Sequence, residues 1–188
     1  EFRRAIQYAV DREAVATLAF HGHMSPGSTL VPPYSEYHWD PPTDVEYTFD
    51  PEKAEAMLET AGCRDSDGDG FRETRQGGPL TLRLYVATEI AADIAAAKLV
   101  TGWLNDIGLK VRLETLDPGA LVSSIWNYKG STFAPDFDMM LYYWTFFYDP
   151  QTVLSLLTPD QIGAWSDTSW TDPTYTRLFI RQSKELDQ

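Results

Sequence analysis

The stretch Asp65-Ser66-Asp67-Gly68-Asp69-Gly70-Phe71-Arg72-Glu73 has the residue types and spacing of an oxygen-rich cation loop. Carboxylates at alternate positions followed by glycine match the start of an EF-hand calcium loop, and calcium takes hard oxygen ligands of this kind. Asp65, Asp67, Asp69 and Glu73 would offer carboxylates, Phe71 its main-chain carbonyl, and Gly70 the sharp turn. The twelfth position, however, is Gln76 rather than a bidentate Glu, and Gly77-Gly78-Pro79 leads into a strand, not a second helix. The loop therefore argues against a calcium sensor. What remains is a lone structural calcium loop, or an acidic turn whose Gly and Asp residues only reverse the chain.

The second chemical signal is aromatic. Tyr142-Tyr143-Trp144-Thr145-Phe146-Phe147-Tyr148 holds more rings than one strand can bury, and Asp149-Pro150 follows. Flat apolar walls with a few polar groups suit capture of a small molecule. The expected ligand-binding set is Tyr143, Trp144, Phe146, Phe147, Tyr148 and Asp149, against the alternative that Tyr143 and Phe147 simply pack in the core. The histidines His21, His23 and His38 have no third clustered ligand and read as loop residues. Catalysis finds no support: there is no Gly-x-Ser-x-Gly elbow, no HExxH, no Gly-rich phosphate loop and no activated Cys. No cofactor is required by any motif.

Composition sets the bounds. The 188 residues carry 28 acidic and 15 basic side chains, a formal net charge of −13. Such acidity argues against nucleic acid or anionic lipid as a partner. A hydrophobic share of 43% fits a folded chain with a real core. The single cysteine, Cys63, excludes an internal disulfide. No apolar stretch is long enough to span a bilayer, and Glu1-Phe2-Arg3-Arg4 opens no signal peptide.

The elements that must position these residues follow from periodicity. Phe2, Ala5, Ile6, Ala9, Val10, Ala14 and Leu18 recur at helical spacing, with a break and a new cap at Asp11. Residues 21 to 47 are rich in Pro, Gly, Ser and Tyr and read as a long irregular segment able to carry binding surface. Asp50-Pro51-Glu52 starts a helix that Gly62 ends. Leu80, Leu82, Leu84 and Val86 alternate as a strand with one buried face. A helix over about 89–107 follows, with Ile90, Ile94, Ala97 and Leu104 on one side. Leu109, Val111 and Leu113 then form a second strand. Strand, helix, strand with short joins implies a parallel right-handed crossover. Asp117-Pro118 starts a short helix to about Trp126, residues 137–144 read as a third strand, Asp149-Pro150 starts another short helix, and Asp172-Pro173 opens a helix running to the chain's end at Gln188. The expected fold is α/β, a mixed sheet flanked by helices.

Several of these segments resemble one family. Phe2-Arg3-Arg4-Ala5-Ile6-Gln7-Tyr8-Ala9-Val10-Asp11-Arg12 is similar to the "v-R-x-A-l-x-y-A-i-D-R" segment of peptide/nickel-type solute-binding proteins (family 5, cluster C) of ABC importers. Gly22 with Pro26 to Pro33, Tyr47 to Ala54 with Leu58 and Ala61-Gly62, Asp67-Gly68-Asp69-Gly70, Ile107-Gly108-Leu109-Lys110-Val111, and Asp136-Phe137-Asp138 through Trp144 to Asp149-Pro150 resemble further family segments in order. The resemblance implies one lobe, usually numbered third, of a type II periplasmic-binding-protein-like fold. It implies a parent two to three times longer whose other lobe flanks this one in sequence. That parent would be monomeric and extracytoplasmic, in the periplasm or at the cell surface, where a lipid anchor is an option. It would capture a peptide-like or other small organic solute between its lobes and hand it to a membrane permease.

One departure bears on the ligand. Peptide-binding members tend to place an Asp three residues after the cleft Trp, where it pairs with a peptide's free amine. Here that position is Phe147, and the Trp-to-Asp-Pro spacing is one residue shorter. A buried amine lacking its carboxylate is costly. The residues thus point away from a free peptide N-terminus unless Asp149 takes the role, and keep a carbohydrate or apolar ligand stacked on Trp144 as the alternative. Two rival readings are a calcium-dependent interaction module and a sugar hydrolase, the latter resting only on acid and aromatic content.

Overall fold

The computed structural model describes residues 1–145 and 148–185. The chain divides into two compact units. The first comprises Glu1–Pro26, Pro42–Val122 and Phe137–Tyr142; the second comprises Gly27–Pro41, Ser123–Asp136 and the chain from Tyr143 onward.

The first unit begins with helix α1 (Phe2–Ala9), whose buried Ala5 and Ala9 let its backbone come close to a neighbour. The predicted break falls where Asp11 stands: its carboxylate accepts the Ala14 amide at 2.9 Å and caps the short α2 (Arg12–Ala14), which continues as a π-helical turn over Val15–Ala19. Helix α3 (Pro51–Thr60) has the expected Asp50 cap on the Lys53 amide and a Gly62 in the left-handed region at φ 85°. Helices α1 and α3 pack together, and the Asp50 amide donates to the Tyr8 carbonyl at 2.8 Å. Ala5, Tyr8, Ala9, Ala54, Leu58, Leu104, Ile107 and Leu109 form one apolar cluster.

Strand β1 (Thr81–Ala87), helix α4 (Ala91–Asp106) and strand β2 (Lys110–Leu116) make the predicted crossover, with Leu84 opposite Leu113 in a parallel pair. The single buried face expected of β1 is too few: Leu84, Tyr85 and Val86 are all buried, because β1 is the central strand, between β2 and β5 (Met139–Leu141). Ile90 is not on the buried side of α4; it precedes the helix and is exposed. The main sheet is parallel in both its pairings, and Leu84, Val86 and Ala97 bury its helix-facing side. The predicted strand at 137–144 shrinks to Met139–Leu141. Its entry is pinned by Asp138, whose carboxylate accepts the Arg83 amide at 2.8 Å and the Arg83 Nε at 3.0 Å. Burial pushes the Asp138 carboxyl up, but these Arg83 bonds outweigh it and hold it below the usual range.

Helix α5 (Pro118–Ile125), capped by Asp117 on the Ala120 amide, carries the chain out of the first unit. The second unit is mostly loop. It holds a small antiparallel hairpin of β3 (Tyr128–Lys129) and β4 (Thr132–Phe133), then α6 (Gln151–Ser155), a 3-10 turn (Pro159–Gln161) and α7 (Pro173–Gln182). Asp172 caps α7 as predicted, but the helix stops at Gln182 instead of running on, with Ser183 closing its last turn.

One side chain organises the first unit. Arg72 is 91% shielded from solvent, its exposure being 9%. Its Nε donates to the Ile107 carbonyl at 2.8 Å, at the end of α4. Its Nη1 donates to the Cys63 carbonyl at 3.0 Å, just past α3, and to Glu59. Gly108 is required beside it: φ is 80°, and a Cβ there would lie 3.2 Å from Arg72 Cγ.

Arg72→Met keeps the apolar stem and strands both carbonyls. We expect it to cost about 3 kcal/mol in denaturant unfolding, with Arg72→Lys recovering only part because it lacks the planar fork. The Asp138–Arg83 pair sets an acid limit. A depressed folded pKa contributes stability that is complete above the unfolded carboxyl value of about 4 and is lost as pH falls through the folded one. Unfolding measured across that range should show a shallower acid loss in Asp138→Asn than in the natural chain.

Candidate functional site

The aromatic run leaves β5 at Leu141 and enters the second unit without regular strand pairing. Tyr143 is 62% exposed and Tyr148 is 77% exposed, so neither is core. Trp144 is half-buried. Phe146 and Phe147, two of the expected ligand residues, lie outside the described residues. Asp149 is exposed and its Oδ1 accepts the Gln151 amide at 2.8 Å, which commits one oxygen to starting α6.

The structure adds partners that sequence spacing did not reveal. Trp144 donates its indole N–H to Asp167 Oδ2 at 2.6 Å. Trp165 stands edge-on to Trp144, with ring centroids 5.9 Å apart, and edge-on to Trp126 at 6.1 Å. Trp165 is itself 57% exposed. Trp126 donates to the Ala164 carbonyl and Tyr128 to the Gly163 carbonyl, which tie the hairpin to the turn that carries Trp165. Burial pushes the Asp167 carboxyl above its usual range, and the Trp144 bond pulls it partly back.

The irregular segment contributes as well. Tyr148 donates to Glu36, which holds the phenol's pKa up, and meets Tyr37 edge-on with centroids 6.3 Å apart. His38 is engaged within its loop: its Nδ1 lies 2.6 Å from the Val31 carbonyl and its Nε2 3.0 Å from Asp40. A carbonyl only accepts, so Nδ1 carries a proton and the ring fastens the loop. The second unit thus presents Tyr34, Tyr37, Trp39, Tyr143, Tyr148 and Trp165 as exposed rings. The Trp165-Ser166-Asp167 triplet was the missed signal: an indole and a carboxylate two apart, just after a Gly turn.

The acidic loop belongs to the first unit. Asp65, Asp67, Asp69 and Glu73 each bring a carboxylate oxygen within 4.8 Å of the others, the one group of this kind among the described residues that could hold a metal ion. Their oxygens already accept main-chain donors: Asp65 from Gly68 and Gly70, Asp67 from Asp69, Asp69 from Phe71, and Glu73 from Ser66. The Ser66 bonds hold Glu73 below the usual carboxyl range. The Phe71 ring lies under Lys110 Nζ at 5.2 Å.

Comparison with known proteins gives the frame. The family model described as bacterial extracellular solute-binding proteins, family 5 middle, matches residues 1–165. The chain is 28% identical over 152 residues to the oligopeptide-binding protein AppA of Bacillus subtilis, covering 76% of this chain and 25% of that protein. The structure of AppA in complex with a nonapeptide superposes with TM-score 0.81 at 22% identity, over 99% of this chain and 36% of that one. The periplasmic alpha-galactoside-binding protein of Rhizobium meliloti is 29% identical over 129 residues, covering 62% of this chain and 18% of that protein. A mannohexaose-bound oligopeptide-binding protein of Thermotoga maritima superposes with TM-score 0.82 at 22% identity, over 99% of this chain and 36% of that one. The chain therefore spans about a quarter of the curated relative AppA, and the structural likenesses speak to fold alone.

Proposed function

The chain belongs to the bacterial extracellular solute-binding proteins of family 5, and from that premise we propose that it is the ligand-binding lobe of an ABC-importer binding protein that captures a peptide-like solute. The observation that carries this is the family match over residues 1–165, joined to an exposed aromatic surface at the end of the family's strand. No bond is made or broken in this reading. Capture works by shape: rings at Tyr143, Trp144 and Tyr148 offer flat apolar contact, a second lobe closes over the solute, and the closed form docks on a membrane permease. The parent works outside the cytoplasm, in the periplasm or at the cell surface, as a monomer.

A carbohydrate is the second reading. It is favoured by the exposed rings, which match the flat faces of a sugar. The acidic loop has a structural reading only. Four carboxylates so close together repel, and calcium would relieve that repulsion and brace the turn.

Two measurements test these readings. Trp144→Ala in the full-length parent, titrated with a nonapeptide and with mannohexaose, should weaken whichever ligand binds by about 2 kcal/mol, roughly thirtyfold in Kd. Unchanged affinity removes Trp144 from the site, and turnover of either compound sinks the binding-protein reading. For the loop, melting in calcium against chelator should show a small rise that Asp67→Asn with Asp69→Asn abolishes. An unchanged melt assigns the loop to chain reversal alone.

A further inference from the structure

We propose that Asp167 is a positioning residue of the ligand wall, fixing the plane of the Trp144 indole together with Trp165. The proposal rests on the reading of Trp144 as a ligand-facing ring.

The geometry is a fork. Trp165 and Asp167, two residues apart where the chain turns and bends, both reach Trp144. The residue between them, Ser166, is buried to 1% exposure. Its amide donates to the Gln161 carbonyl at 2.9 Å, and the Trp165 amide donates to the same carbonyl at 3.0 Å. Gln161 itself closes the 3-10 turn after buried Thr158. The prongs of the fork therefore spring from a doubly bonded turn.

Each prong removes a different freedom of the ring. The indole N–H is a donor with a single direction, so a 2.6 Å bond to Asp167 Oδ2 fixes how the ring is turned about its own axis. The edge-on contact with Trp165, at 72° between planes, limits its swing. A stacking wall gains affinity from being held in its binding orientation before the ligand arrives.

The carboxylate is poorly placed to meet a ligand itself. Oδ2 is committed to Trp144, and Oδ1 is buried without a hydrogen-bond partner among the described residues. No ion pair to Asp167 occurs among the described residues. An acceptor buried at this cost is explained by the donor it holds.

The test uses the 188-residue chain and the variants Trp144→Phe, Asp167→Asn and Asp167→Leu. The Trp144 signal is the difference between the natural chain and Trp144→Phe. In Asp167→Leu, its ultraviolet resonance Raman N–H band should move to the unbonded position. The exciton couplet of the Trp144–Trp165 pair in circular dichroism should be lost. Asp167→Asn keeps an oxygen acceptor and should retain the couplet with a weakened N–H bond. An unchanged band and couplet in folded Asp167→Leu overturn the proposal. Should Asp167→Leu not fold, Asp167→Asn decides, and an unshifted N–H band there overturns it equally. Acrylamide quenching separates the two readings: if Trp144→Phe leaves the quenchable emission unchanged, the wall reading fails, whatever the band shows about Asp167.

Discussion

The first unit depends on one buried guanidinium. The chain leaves α3 through Cys63 and leaves α4 through Ile107, and the carbonyls of both turn to one side chain. Arg72 answers the two at once, donating to Cys63 and Ile107 while Glu59 and Glu55 balance its charge. A positive, planar, multidentate donor is the side chain that satisfies carbonyls in two directions. Its position in turn fixes the acidic loop, because the Arg72 amide donates to the Gly108 carbonyl at 2.7 Å. The loop at 65–70 is therefore a device for delivering Arg72 to the joint. Its carboxylates help to fold the turn by accepting the loop's own amides.

The second unit is built on different terms. Apart from α7 it has only short helices and a hairpin of two-residue strands, so regular backbone pairing accounts for little of its order. What holds it are side chains reaching main-chain carbonyls: Trp126 to Ala164, Tyr128 to Gly163, Tyr175 to Leu154. Aromatic residues with a polar tip suit this work, since each buries area and anchors a loop in one step. The same chemistry leaves other rings exposed at the surface. A binding surface made of such loops can vary in sequence while the parallel sheet of the first unit stays as it is.

Legibility in the sequence divided along the same line. Asp11, Asp50, Asp117 and Asp172 cap what their spacing said they would, because a cap is a contact between residues three apart. The parallel crossover was legible from two alternating strands around a helix. Burial of Tyr85 was not, since it comes from the central place of β1, which pairing with β5 decides. The early stop of α7 was missed because nothing after Gln182 breaks a helix as Gly or Pro would. Of the candidate site, Tyr143, Trp144 and Tyr148 stand in one stretch of sequence and were legible there as an aromatic run. Glu36, Trp165 and Asp167 were not, because each reaches the run across a wide gap in sequence.

The ligand question turns on the carboxylates near the wall. Recognition of a free amine needs an accessible, ionised oxygen close to the rings. Asp149 has one oxygen engaged by the Gln151 amide, and losing that bond would unsettle the start of α6. Asp167 has one oxygen on Trp144 and the other covered, and burial already favours its neutral form. One oxygen of Glu36 accepts the Tyr148 hydroxyl. Each of these carboxylates thus has one oxygen engaged by the protein, while the rings of Tyr143, Tyr148 and Trp165 stand exposed. In the proposed reading, the wall's contribution to selectivity is shape and stacking area.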